Sequence, residues 1–140
     1  MIIAKYLWVT GSITITVFAG LHLYLTFFTN KFSSKNEKLM EEMKSSSPVL
    51  TNELNMWKSW IGFNASHSSG GIFIGIINFY LAISYFPLMQ SDHFFFIFNI
   101  LTIGFYVWVA KTYWFKTPLM GLLVTLACFL ISYILILINL

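Results

Sequence analysis

Apolar residues gather in four long runs, at 6–28, 61–86, 94–110 and 119–140, and polar residues separate each run from the next. A helix that crosses the hydrocarbon core of a bilayer needs about 20 mostly apolar residues. The pattern therefore predicts four membrane-spanning helices. The third is the shortest, and Lys111, Tyr113 and Trp114 extend it to the interface, where amphipathic side chains are at home. Residues 87–93 and 111–118 are short connections, which make consecutive helices antiparallel neighbours. The expected fold class is all-α: a four-transmembrane-helix up-down-up-down bundle forming one domain over residues 1–140.

The first connection, residues 30–60, has a different pattern, with five lysines, four glutamates and helical signals of its own. Ser34 followed by Glu37 has the spacing of a capping box ahead of Leu39, Met40 and Met43, and Lys38 pairs in register with Glu42. A short surface helix is expected there, ended by Ser45, Ser46, Ser47 and Pro48. Thr51 or Asn52 would cap a second helix that carries Leu54, Met56, Trp57 and Trp60 into the second span. The first apolar run has no small-residue cleavage site after a short core, so it is read as a retained helix.

Composition agrees with lipid as the solvent: 58% of residues are hydrophobic, 9% are charged, 19% are aromatic, and the mean hydropathy is +0.77. The net charge of +3 comes from lysine alone, and without arginine there is no rigid fork for phosphate or base edges, which argues against a nucleic-acid partner. Lysine placement sets orientation. Seven lysines (Lys31, Lys35, Lys38, Lys44, Lys58, Lys111 and Lys116) fall on one face and only Lys5 on the other. The loop 30–60 is then cytoplasmic and both termini lie outside. Cys128 sits alone in an apolar run and reads as a packing residue.

Polar residues inside an apolar span must face protein or water, because hydrocarbon offers them no partner. Trp57, Trp60, Asn64, His67, Gly71, Gly75 and Asn78 fall on one helical stripe of the second span, which is expected to face the bundle interior. Gly71 and Gly75, with Asn78, have the small-residue spacing of close helix packing, and Ser68 and Asn64 can bond a neighbouring helix. The first span adds His22, with Thr26 one turn further on. His22 precedes Thr29 by seven residues and His67 follows Trp60 by seven, so both imidazoles are expected about 10 Å from the lysine-rich boundary.

Two imidazoles at one level can ligate a haem b iron from both sides, hold another metal with help from Asn64, or flank the polar head of a quinone or lipid. Gly70, Gly71 and Gly75 would provide room beside them. In the ligand-binding arrangement His22 and His67 contact the ligand, Asn64, Thr26 and Ser68 orient its polar groups, and Trp57 and Trp60 close the cytoplasmic mouth. Catalytic zinc is disfavoured because no carboxylate lies within a span. Ser66 and Ser68 adjoin His67 in sequence but point elsewhere on a helix, so no catalytic residue is assigned. His93 and Asp92 read as a hydrated cap of the third span.

The stretch Met56, Trp57, Lys58, Ser59, Trp60, Ile61, Gly62, Phe63, Asn64, Ala65, Ser66, His67 and Ser68, together with residues 20–24 around His22, resembles a group of small bacterial four-helix integral membrane proteins. The resemblance implies the architecture and draws attention to this site, and carries no activity; the expected location is the bacterial cytoplasmic (inner) membrane. The layout is also similar to the four-helix membrane proteins of eicosanoid and glutathione metabolism. Here, however, no arginine is present, and His67 stands where that comparison would place an acid three positions after Asn64.

The leading expectation is a non-enzymatic accessory or self-associating bundle whose polar intramembrane cluster organises helix packing, partnered by the lipid bilayer and by copies of itself or a larger membrane complex. The alternatives are a haem, quinone or lipid-ligand binding protein using His22 and His67, and a small membrane enzyme acting on a lipophilic substrate with His67 moving the proton and Asn64 as oxyanion donor.

Overall fold

A computed structural model describes residues 1–138, so the last two residues of the fourth apolar run, 139–140, lie outside the described residues. The described chain is all-helical, with α1 (Ile2–Phe28), α2 (Glu37–Ser45), α3 (Met56–Met89), α4 (His93–Tyr113) and α5 (Lys116–Ile138). Helices α1, α3, α4 and α5 are long and apolar enough to cross a membrane.

Each long helix reaches beyond its apolar run, because hydropathy marks the hydrocarbon-compatible core and hydrogen bonding marks the helix. The α1 helix begins at Ile2, before the run that opens at Tyr6, and so takes in Lys5. The α3 helix continues past Pro87 to Met89 and shortens the second connection to residues 90–92. Pro87 cannot donate to the carbonyl four residues earlier, and the backbone bends nearby, with Tyr85 at φ −135° and ψ 23°. The Lys5 ammonium donates to that carbonyl, on Ile83, at 3.1 Å. A lysine in an otherwise apolar helix thus supplies the hydrogen bond that a proline removes.

The loop helices differ from the expected ones in their caps. Asn36, not Ser34, caps α2, its side chain accepting from the Lys38 and Leu39 amides at 3.1 and 3.4 Å. The Ser34 hydroxyl instead accepts from the Asn36 amide at 3.0 Å, so it turns the chain into the cap. There is no separate helix beginning at Thr51 or Asn52. Asn55 starts α3 by accepting from the Lys58 amide at 2.9 Å, and Thr51 accepts locally from Glu53 at 3.2 Å. At the opposite end of α3, Asp92 caps α4 through the Phe95 amide at 3.1 Å.

The described residues form two compact units, one made of 1–18 and 71–138 and the other of 19–70. The first is the bundle. Trp8 of α1 meets Phe96 near the start of α4, and Ser132 near the end of α5 donates to the Ala4 carbonyl at 2.7 Å. Thr125 donates to the Gly11 carbonyl at 3.3 Å, one step further along the same antiparallel pair. Helices α1 and α4 therefore run one way in this unit and α3 and α5 the other. Trp8 is fully buried at its centre, stacked on Phe129 with ring centres 3.9 Å apart and edge-on to Phe96 at 4.6 Å.

A polar chain runs through this apolar centre. Trp8 Nε1 donates to Asn78 Oδ1 at 2.9 Å, and Asn78 Nδ2 donates to Asn99 Oδ1 at 2.7 Å and to the Ile74 carbonyl at 2.9 Å. Three helices are thereby keyed to one register, since an unpaired indole N–H or amide buried here would cost about 1–3 kcal/mol. Asn78→Leu is expected to lower stability in mixed-micelle denaturation by about 1–3 kcal/mol, because it strands both the Trp8 donor and the Asn99 acceptor. Adding Asn99→Leu should cost less than its effect alone, since its partner is already gone.

Candidate functional site

The second unit, residues 19–70, contains the end of α1, α2 and the beginning of α3, and it brings His22 and His67 together. Their ring centres are 5.8 Å apart with planes crossed at 82°. Asn64 is buried and sits one turn before His67 on α3, where its side chain can reach α1.

Asn64 fixes the state of His22. Its amide nitrogen donates to the Trp60 carbonyl at 2.8 Å, which turns Oδ1 towards the imidazole, and His22 Nε2 lies 3.0 Å from that oxygen. An amide oxygen only accepts, so Nε2 carries a proton and, in the neutral imidazole, Nδ1 keeps the lone pair. Phe32 lies edge-on to the His22 ring at 4.6 Å, and its carbonyl accepts from Trp60 Nε1 at 3.2 Å. The imidazole is thus held on one side by an amide and on another by an aromatic ring, each tied in turn to Trp60.

The remaining predicted residues contribute in different ways. Thr26 is buried and donates to the His22 carbonyl at 2.8 Å, so its hydroxyl steadies the helix one turn beyond the imidazole. Ser68 is buried and donates back to the Asn64 carbonyl of its own helix at 2.8 Å, not to a neighbouring helix, because that carbonyl lies one turn away and needs no reorientation. Trp57 and His67 are half-buried, whereas Trp60 remains 41% exposed and uses its indole N–H to anchor the loop at Phe32.

The small-residue end of the stripe lies in the other unit and is used there for packing. Gly71, Gly75 and Asn78 are all buried. A side chain at Gly75 would run into the Thr16 hydroxyl and come within 2.8 Å of the Ser12 carbonyl, so Gly75 leaves no room for a ligand: α1 already occupies it.

Haem ligation through His22 Nε2 would require breaking its bond to Asn64, while Nδ1 is free of that constraint. Among the described residues, no three His, Cys, Asp or Glu side chains stand together as a metal-binding group. Phe32 and the Trp60 anchor had no counterpart in the hydropathy pattern. They depend on how the loop returns to the helices, and an aromatic directly after the first span is otherwise an ordinary interfacial residue. His93 Nδ1 lies 3.2 Å from the Tyr133 hydroxyl, and both residues are outside the imidazole pair's unit.

Comparison of the chain with protein-family models, with curated proteins and with solved structures gave no match.

Proposed function

We propose that this chain is a non-catalytic, small multi-pass membrane protein that works by lateral association, with copies of itself or as an accessory subunit of a larger membrane assembly. The observation that carries this reading is an exposed face of α3. Gly62, Ser66 and Ser69 follow one another at helical spacing, Gly62 has open space where a side chain would be, and both serines are exposed. Ser66 and Ser69 donate to carbonyls of their own helix at 3.0 and 2.9 Å, so the face is small without being polar in an unpaired sense. Small residues let a second helix approach closely, which drives association in lipid where burial of apolar area does not. Phe63, 71% exposed, stands beside this shallow face.

The same reading places the protein in a bacterial cytoplasmic membrane, with residues 30–60 in the cytoplasm and both termini outside. The lysine asymmetry supports it. The one lysine that opposes the asymmetry, Lys5, is accounted for by its bond to the Ile83 carbonyl.

Gly62→Leu tests the association. A Cβ at Gly62 finds open space within 4 Å, so helical content and thermal stability should stay near the wild-type value. Association measured by cross-linking and mass photometry in nanodiscs should weaken roughly tenfold, about 1.4 kcal/mol. A wild-type chain that stays monomeric and without a partner in its native membrane would sink the proposal, as would association indifferent to Gly62→Leu and Ser66→Leu.

A further inference from the structure

We propose that His22 and His67 form a binding site for a late first-row transition-metal ion, held most tightly as Cu2+, with Asn64 as the residue that positions His22. This inference is independent of lateral association and concerns a cluster that reading leaves without a role.

The separation suits one ion. Imidazole nitrogen binds such metals at about 2.0–2.1 Å, which places two ring centres on a shared ion roughly 5–6 Å apart. Their observed spacing is 5.8 Å, with the rings crossed at 82°, so the ring carbons of one need not collide with those of the other. The proton arrangement suits it as well. Ligating histidines typically donate their second ring N–H to a carbonyl or carboxylate, which fixes the tautomer and raises the basicity of the ligating nitrogen. His22 makes that bond to Asn64 Oδ1 at 3.0 Å, and Asn64 is itself fixed through the Trp60 carbonyl at 2.8 Å. His22 is therefore oriented before any metal arrives, with Nδ1 as the nitrogen that bears the lone pair.

Identity of the ion follows from the donor set. Imidazole suits zinc, copper, nickel and iron, and among divalent ions the affinity order at nitrogen donors peaks at copper. Two protein ligands leave further coordination positions open. Both imidazoles are only half-buried by the chain itself, so its own side chains do not close off those positions. That openness distinguishes the site from a closed four-ligand structural zinc centre.

The test is titration of the untagged, full-length protein in detergent micelles with copper(II) chloride, read by calorimetry and by electron paramagnetic resonance on protein labelled with 15N-histidine. The expected result is one equivalent of Cu2+ with hyperfine coupling to two histidine nitrogens. His22→Gln retains an N–H that can reach Asn64 Oδ1 but has no imidazole lone pair, and His67→Gln removes the second ligand; either should abolish the two-nitrogen signal. Asn64→Ala should weaken binding about 10–100-fold, and Asn64→Asp, which restores an acceptor, should recover it. His93→Gln should leave binding unchanged. The wild-type spectrum decides the question even if a variant misfolds: coupling to fewer than two histidine nitrogens, binding that survives in folded His67→Gln, or a haem that co-purifies on these two imidazoles would each overturn the proposal.

Discussion

Trp8→Ala should lower the stability of the protein by about 3–5 kcal/mol, the range for removing a large buried aromatic. The indole is fully buried, lies flat on Phe129, meets the edge of Phe96, and donates to Asn78. Its removal leaves a cavity where α1, α4 and α5 converge and strands an amide oxygen in apolar surroundings. Trp8→Phe separates the two contributions. It keeps most of the stacking but loses the N–H donor, so its cost should fall to about 1–3 kcal/mol, the penalty of a buried acceptor without a partner. Denaturation in mixed micelles, followed by circular dichroism, measures both. Equal losses in the two variants would mean that the hydrogen bond, not the packing, holds the centre of the bundle.

Gly75→Leu should be the second severe change, at the upper end of the roughly 1–3 kcal/mol that overpacking costs. The new side chain meets the Thr16 hydroxyl, the Ser12 backbone carbonyl at 2.8 Å and the Ile15 side chain at 3.0 Å. A flexible side chain could swing aside, but the carbonyl belongs to the helix itself, so α1 and α3 would have to separate within the bundle. Gly75→Ala should produce a smaller loss of the same kind. Thr16→Ala together with Gly75→Ala should recover part of it, because the nearest obstruction is then gone while the carbonyl remains. The contrast with Gly62→Leu is the useful control. Both positions are glycines on α3, but Gly62 faces open space, so only Gly75→Leu should lower the stability of the isolated chain.

Several features were legible from residue order because their causes are local. A run of apolar residues long enough for the bilayer predicts a helix wherever the rest of the chain lies, and four of the five helices follow from that requirement. Counting residues from the ends of two runs was enough to expect His22 and His67 at one level, because helical rise is constant. Asn64, one turn before His67, was expected to look towards a neighbouring helix for the same periodic reason. The helix ends were less legible. Ser34 and Asn36 both carry side chains able to cap α2, and the choice of Asn36 depends on the backbone path into the helix, with Ser34 two residues earlier supporting that path.

Residue order by itself determined the all-α class, the four apolar helices, the lysine asymmetry of the loops and the helical stripe that carries Asn64, His67, Gly75 and Asn78, because each depends on composition and period along one segment. Only the tertiary structure decided which of those residues pack and which remain available for chemistry. It spent Gly75 on α1, joined Asn78 to Trp8 and Asn99, gave Lys5 to the carbonyl that Pro87 leaves without a donor, and fixed the His22 tautomer through Asn64. Those outcomes depend on pairs of residues 21 to 78 positions apart in sequence, whose meeting is set by side-chain volume and hydrogen-bond direction across helices and not by the periodicity of either helix alone.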